Sequence, residues 1–218
     1  MLISLLLQNP VYFILVAGLL VIAISVHEFS HALASDKLGD PTARINGRLT
    51  LNPKAHLDPI GTLFLLVAGF GWGKPVPFDP FNLKDPKRDA AIISFAGPFS
   101  NLIMAVLASI IIRILFLIPS FSINIILVNI LSLFVYFNLI LAIFNLLPFH
   151  PLDGFKVVAG LLPKKYYYEW MDLQRYGMIF LFMLIFPIFG RSAIISIVSP
   201  VVDFMLSVLI PSGSSGII

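Results

Sequence analysis

The sequence predicts an all-α polytopic membrane protein with about four to six transmembrane helices. Three observations predict it. Of the 218 residues, 59% are apolar and only 11% charged, with a mean hydropathy of +0.99, whereas soluble domains carry about 25% charged residues. Several apolar runs reach the roughly 20 residues that a helix needs to cross a bilayer. Basic residues fall in stretches between those runs. Little chain remains outside them, so residues 1–210 read as a single membrane-embedded domain. Residues 211–218, Pro-Ser-Gly-Ser-Ser-Gly-Ile-Ile, read as a flexible tail or an expression remnant outside the fold.

The net charge of +3 reflects 14 Lys+Arg against 11 Asp+Glu. In a membrane protein such an excess reports topology, because positive charges collect in cytoplasmic loops; no charge run points to nucleic acid. The absence of cysteine excludes disulfides and thiolate ligands. Any metal must be held by His, Asp or Glu.

The N-terminus has neither the basic segment nor the small-residue cleavage site of a signal peptide, and reads as part of the first span. That span runs from about residue 11 to 34. A polar stretch follows with Lys37, Arg44, Arg48 and Lys54, and a second basic stretch carries Lys74, Lys84, Lys87 and Arg88. The apolar piece between them is too short to cross. With both flanks on one side, residues around 59–77 should dip in and return as a short re-entrant hairpin or β-like loop, tolerated only where protein or water satisfies its backbone. Residues 90–118 and 121–147 are each long enough to span, and the uncharged link near Pro119-Ser120 belongs on the outer side. Asp153 then returns to the basic side ahead of Lys156, Lys164, Lys165 and Arg175. Beyond Tyr176, Pro187, Gly190 and Arg191 divide the chain into short helices over about 176–189 and 192–210. This assignment puts a multi-pass protein in the cell membrane with its N-terminus outside. No internal repeat is visible.

The first run ends in His27-Glu28-Phe29-Ser30-His31. On a helix the two histidines lie one turn apart on one face, where both imidazoles reach one zinc ion, and Glu28 can take a proton from a metal-activated water. A catalytic zinc site needs a third protein ligand and an open position. The best candidate is Asp153, since Pro148, Pro151 and Gly154 break the helix and let a carboxylate turn inward. The competing reading of Asp153 is an N-cap for a helix starting near Phe155. The competing readings of the histidine motif are chance and an interfacial histidine pair with Glu28 ion-paired to a lysine.

Five segments together carry a resemblance. H-E-F-S-H at 27–31, N-P-K-A-H-L-D-P-I-G at 52–61, G-W-G-K-P-V-P at 71–77, A-G-P-F-S-N at 96–101 and N-L-L-P-F-H-P-L-D-G at 145–154 resemble, in order, the site-2 protease family of intramembrane zinc metalloproteases. The likeness covers about residues 10–160 and is closest to the compact bacterial and archaeal branch. It implies one zinc ion per chain held by His27, His31 and Asp153, with Glu28 as general base and proton shuttle. Asn101 and Asn145 match asparagines that hydrogen-bond the substrate backbone or steady the site. Gly71, Trp72 and Gly73 would belong to a β-like loop that pairs with an unwound substrate.

His56 matches a histidine of that family and reads either as an oxyanion or water-orienting group or as a loop histidine holding the turn before Asp58. His150 stands where relatives commonly carry proline, and reads as a group that orients a metal ligand, an alternative ligand or, preferably, a solvent-facing residue. No PDZ or C-terminal regulatory domain has room here, so substrate selection rests on the membrane core or a separate regulatory partner. The expected partners are the lipid bilayer and a membrane-protein substrate with a transmembrane helix, cut in or near that helix toward the cytoplasmic side. A metal transporter would string polar residues along several spans and often show inverted repeats; a membrane scaffold would not need Glu28 beside three ligands.

Overall fold

The computed structural model describes residues 2–68, 71–117, 125–186 and 193–211. The link at Pro119-Ser120, the break at 187–191 and the tail 212–218 lie outside the described residues. Pro10 sets the first boundary. α1 (Leu2–Gln8) stops before Asn9, and α2 (Pro10–Lys37) begins on the proline, whose missing N–H costs nothing in a first turn. Asn9 caps α2 by accepting from the Tyr12 amide at 3.0 Å. The N-terminal residues are therefore a separate short helix, and not the start of the first span as the sequence suggested.

After α2 come α3 (Thr42–Ile45), α4 (Pro59–Ala68), α5 (Pro86–Leu117), α6 (Ile125–Asn145), α7 (Asp153–Leu161), α8 (Lys164–Asp172), α9 (Gly177–Ile185) and α10 (Ala193–Leu209). Three helices are long and apolar enough to cross a membrane, namely α2, α5 and α6 with 28, 32 and 21 residues. The shorter apolar helices α9 and α10, of 9 and 17 residues, account for the remainder of the expected apolar chain. No strand occurs among the described residues; the protein is an all-α integral membrane protein.

α5 is the central post, in contact with α2, α6, α7 and α10. Small residues on it, Ala105, Ala108 and Ser109, are buried and let helix backbones approach closely, as membrane packing requires. Around Ala105, Ala108 and Ile112 gather Val128, Val135 and Leu139 of α6 and Val198 and Val202 of α10. Large apolar side chains such as Ile14, Ile22, Ile103, Ile110 and Phe204 are instead exposed, the arrangement expected where lipid is the solvent. Near the end of α5, Arg113 donates to the Val208 carbonyl at 2.6 Å and Ser109 to the Leu209 carbonyl at 2.5 Å. Both satisfy the open C-terminus of α10, where a cation is also favoured by the helix dipole.

Of the stretch expected to dip and return, residues 59–68 form a half-helix and residues 71–77 a non-helical return packed against it. α4 has 10 residues, or about 15 Å of rise, half a bilayer core. The return is pressed onto it backbone to backbone. A Cβ on Gly61 would lie 2.2 Å from the Trp72 carbonyl oxygen, and one on Gly71 would lie 2.2 Å from that of Gly61. Only glycine permits this approach. The β-like character is a single antiparallel bridge, Leu57 with Gly73, closed by the Lys74 amide on the His56 carbonyl at 2.7 Å.

A buried carboxylate ties this return to the end of α2. Asp40 is 0% exposed. It accepts from Ser35 Oγ (2.9 Å), Thr42 N (3.1 Å), Thr42 Oγ1 (2.6 Å), Asp79 N (2.9 Å) and Asn82 Nδ2 (2.9 Å). Burial would raise its pKa, but the donors from Thr42, Asn82, Asp79 and Ser35 outweigh burial and hold the carboxyl well below the usual range. A depressed folded pKa stabilises the fold at every pH above the unfolded carboxyl's value of about 3.9, and that contribution fades as pH falls through the lower folded value. Asp40→Asn should therefore destabilise the protein by about 3 kcal/mol at pH 7. Thermal unfolding in detergent from pH 7 to pH 3 should show a lower Tm and a weaker acid dependence than in the parent chain.

Candidate metal centre and active site

α2 carries His27 and His31 one turn apart, both buried, and each imidazole is oriented through its Nδ1. His27 Nδ1 lies 2.6 Å from Asn101 Oδ1, and His31 Nδ1 lies 2.7 Å from the Ile93 carbonyl oxygen. Both partners accept, so both Nδ1 atoms carry the proton, which in a neutral imidazole leaves the Nε2 lone pair free for a metal. Asn101 is fixed in turn, its Nδ2 donating to Asn138 Oδ1 at 2.8 Å and to the Ala23 carbonyl at 3.3 Å. That network settles which end of the Asn101 amide faces His27. Pro98 can offer no N–H to the carbonyl one turn back in α5, that of Ser94, the neighbour of Ile93.

The free nitrogens meet a carboxylate. His27 Nε2 and His31 Nε2 are 3.0 Å apart, and each lies 3.2 Å from Asp153 Oδ2. Donors placed tetrahedrally at 2.0–2.1 Å from a zinc ion lie roughly 3.3 Å from one another. The three atoms thus form nearly the triangle a zinc ion requires, and two neutral imidazoles so placed would turn both Nε2 lone pairs to a cation between them. Within the described residues this is the one group of three such side chains that could hold a metal ion.

Asp153 is the first residue of α7, and the cap position is taken by Leu152 with no side-chain cap bond. Its carboxylate faces the histidines, so the N-cap reading does not describe it. Gly154 makes that turn possible, since a Cβ there would lie 2.2 Å from the Leu146 carbonyl oxygen. The approach of α5 is equally tight. A Cβ on Gly97 would lie 2.3 Å from His31 Nε2 and 2.7 Å from His27 Cε1, so α5 can sit against both imidazoles only where it has no side chain.

Glu28 is partly buried and points to the extended return of the hairpin. Its Oε1 would lie 3.2 Å from a Cβ built on Gly73. The general-base candidate therefore lies between the histidine pair on its own helix and the segment 71–77. Trp72 stacks at a tilt on Phe64 of α4, with centroids 5.4 Å apart.

The remaining expectations divide. Asn101 joins the site through His27. Asn145 instead donates to the Leu141 carbonyl of its own helix at 2.9 Å. His56 is 0% exposed, with Nε2 2.6 Å from the Thr50 carbonyl oxygen while its own carbonyl receives Lys74 N; these contacts are those of the turn-holding reading. His150 does not face solvent. It is half-buried, edge-on to Phe155 at 5.8 Å and against Gly177, because the turn at Pro148–Pro151 packs under the start of α9.

Three residues escaped the sequence reading. Asn138 orients Asn101, Asp40 anchors the hairpin return, and Arg48 is buried against that same segment. A polar residue such as Asn138 within an apolar span is the one such signal the sequence carries.

A model of peptidase family M50 matches residues 118–185, a stretch that includes Asp153 but not the histidine pair. The chain is similar to YwhC of Bacillus subtilis (strain 168), a zinc metalloprotease candidate by its name, at 38% identity over 175 residues, covering 78% of this chain and 79% of that one. It is similar also to Rip2 of Mycobacterium tuberculosis (strain ATCC 25618 / H37Rv), named in the same way, at 28% identity over 180 residues, covering 80% and 67%. No solved structure matches the chain. By these relationships the chain belongs to peptidase family M50, the site-2 protease family of zinc metalloproteases.

Proposed function

We propose that this protein is an intramembrane protease, cutting a peptide bond in or near the transmembrane helix of a membrane-protein substrate, with its active centre toward the cytoplasmic side. The observation that carries it is the convergence of His27, His31 and Asp153 with Glu28 turned toward Gly73. His27, His31 and Asp153 would hold one zinc ion per chain within a single domain over residues 1–210. When bound, zinc would supply a Lewis acid for the scissile carbonyl and lower the pKa of a water.

The chain's own groups supply the rest. Glu28 accepts the proton from the attacking water and delivers it to the leaving amine. Asn101 and the Ile93 carbonyl hold the two imidazoles in the tautomer that leaves Nε2 free. A helical substrate hides its amides in its own hydrogen bonds, so it must unwind first. The extended residues 71–77 beside Glu28 offer backbone against which an unwound strand can lie.

Charge supports the sidedness. His31 and His27 lie six and ten residues before Lys37, which is about 9 and 15 Å along a helix from the basic side. The basic residues of 37–54 and 74–88 would stand in the cytoplasm and the N-terminus outside. Because the chain has no cysteine, single cysteines test this directly. Lys84→Cys and Lys164→Cys should react with an impermeant maleimide only when the cytoplasmic face is open, and labelling from outside intact cells would reverse the orientation.

Glu28→Gln should lower cleavage at least about 100-fold with zinc content unchanged. Comparing membrane proteomes of cells carrying the parent and Glu28→Gln chains should reveal precursors that accumulate uncut, and identical proteomes would overturn the proposal. Asn101→Ala should weaken metal affinity about 10- to 100-fold, read as zinc retained after graded chelation and followed by metal analysis. Asp153→Ala should retain none.

A further inference from the structure

Arg48 stands out because its burial has no ion pair to explain it. It is 4% exposed, yet among the described residues the ion pairs are those of His27, His31 and Arg44. A guanidinium stays protonated in a protein and is costly to bury without compensation. Its compensation is backbone. Nη1 donates to the Pro75 carbonyl at 2.8 Å and Nη2 to the adjacent Lys74 carbonyl, while Nε has no partner. Burial pulls its pKa below the ordinary arginine value, and the nearby charge of Glu28 acts in the opposite sense.

The segment it grips is the one that faces Glu28. Gly73 lies against Glu28 Oε1, Lys74 N is bonded to the His56 carbonyl, and the next two carbonyls end on Arg48. Pro75 and Pro77 have no N–H to anchor them by other means. Besides Arg48, the return of the hairpin is held by the Lys74 amide, by Trp72 against Gly61 and Phe64 and, farther along, by Phe78 under Lys156 and Asp79 on Asp40. A lysine ammonium carries its three N–H groups on one nitrogen at the end of a flexible stem, whereas the planar fork of arginine meets both carbonyls in a fixed geometry.

We propose that Arg48 is a positioning residue for proteolysis: its fork fixes residues 73–75 at a set distance from Glu28, so that a strand laid against them meets the base. The inference rests on the function proposed above. It also assigns the Lys74 and Pro75 carbonyls to the enzyme itself, leaving the substrate only the remaining backbone of that segment. Displacements of about 1 Å at a reacting centre cost on the order of 100-fold in rate.

The test uses the full-length zinc-loaded chain in detergent and in cells, with Arg48→Lys and Arg48→Gln beside Glu28→Gln. Hydrogen exchange by mass spectrometry should show the Lys74 amide exchanging at least about tenfold faster in Arg48→Gln, with a smaller change in Arg48→Lys. Tm and zinc content should stay near the parent values. In cells, the membrane-protein fragments that disappear with Glu28→Gln should fall about 10- to 100-fold in Arg48→Gln and be partly restored in Arg48→Lys. Parent-level fragments with Arg48→Gln, or unchanged exchange at Lys74, would overturn the inference. So would loss of zinc and fold in both variants together, since Arg48 would then be structural alone. Fragments unaffected by Glu28→Gln would instead overturn the proposed function, which keeps the two failures separate.

Discussion

Everything near the candidate centre depends on α5 lying against the two imidazoles at Gly97. The contact leaves no room for a Cβ, and it brings Asn101 and the Ile93 carbonyl to the two Nδ1 atoms from the same helix. One helix therefore supplies both closeness and orientation. Because α5 also packs against α7, the same post carries Asp153 to the histidines. The price of this arrangement is a proline and a glycine within a 32-residue helix, each of which weakens it locally.

The polar groups form two linked layers. One holds the histidines through Asn101 and Asn138, and the other holds the hairpin return through Asp40 and Arg48. Glu28 stands between them. This division matches the demands of the proposed reaction, in which the donor triangle must be rigid and the strand beside the base must sit at a reproducible distance. Lys156 adds a tether from the α7 side, with its ammonium 4.5 Å from the Phe78 ring centroid.

Much of the architecture was legible because the bilayer limits the alternatives. Backbone in lipid must satisfy itself, so apolar runs of sufficient length become helices, and α2, α5 and α6 appear within a few residues of their expected ends. A short re-entrant piece followed from a run too short to cross between two basic flanks, and its first part is the half-helix at 59–68. Less legible was the separate α1, where the apolar character on both sides of Asn9-Pro10 concealed the capping signal. His150 was less legible too: the prolines on either side constrain its backbone without fixing which way it points, and the chain turn puts it against Gly177.

The sequence by itself determined the membrane class, the helical face shared by His27 and His31, the candidacy of Asp153 and the family resemblance. These depend on local spacing and on composition, which a chain carries along its length. Only the tertiary structure decided that Asp153 Oδ2 lies 3.2 Å from both imidazoles, that Asn101 holds the His27 ring, and that Arg48 donates to the carbonyls beside Glu28. Those contacts join residues tens of positions apart, and the packing of α5 between α2, α6 and α7 is what sets them.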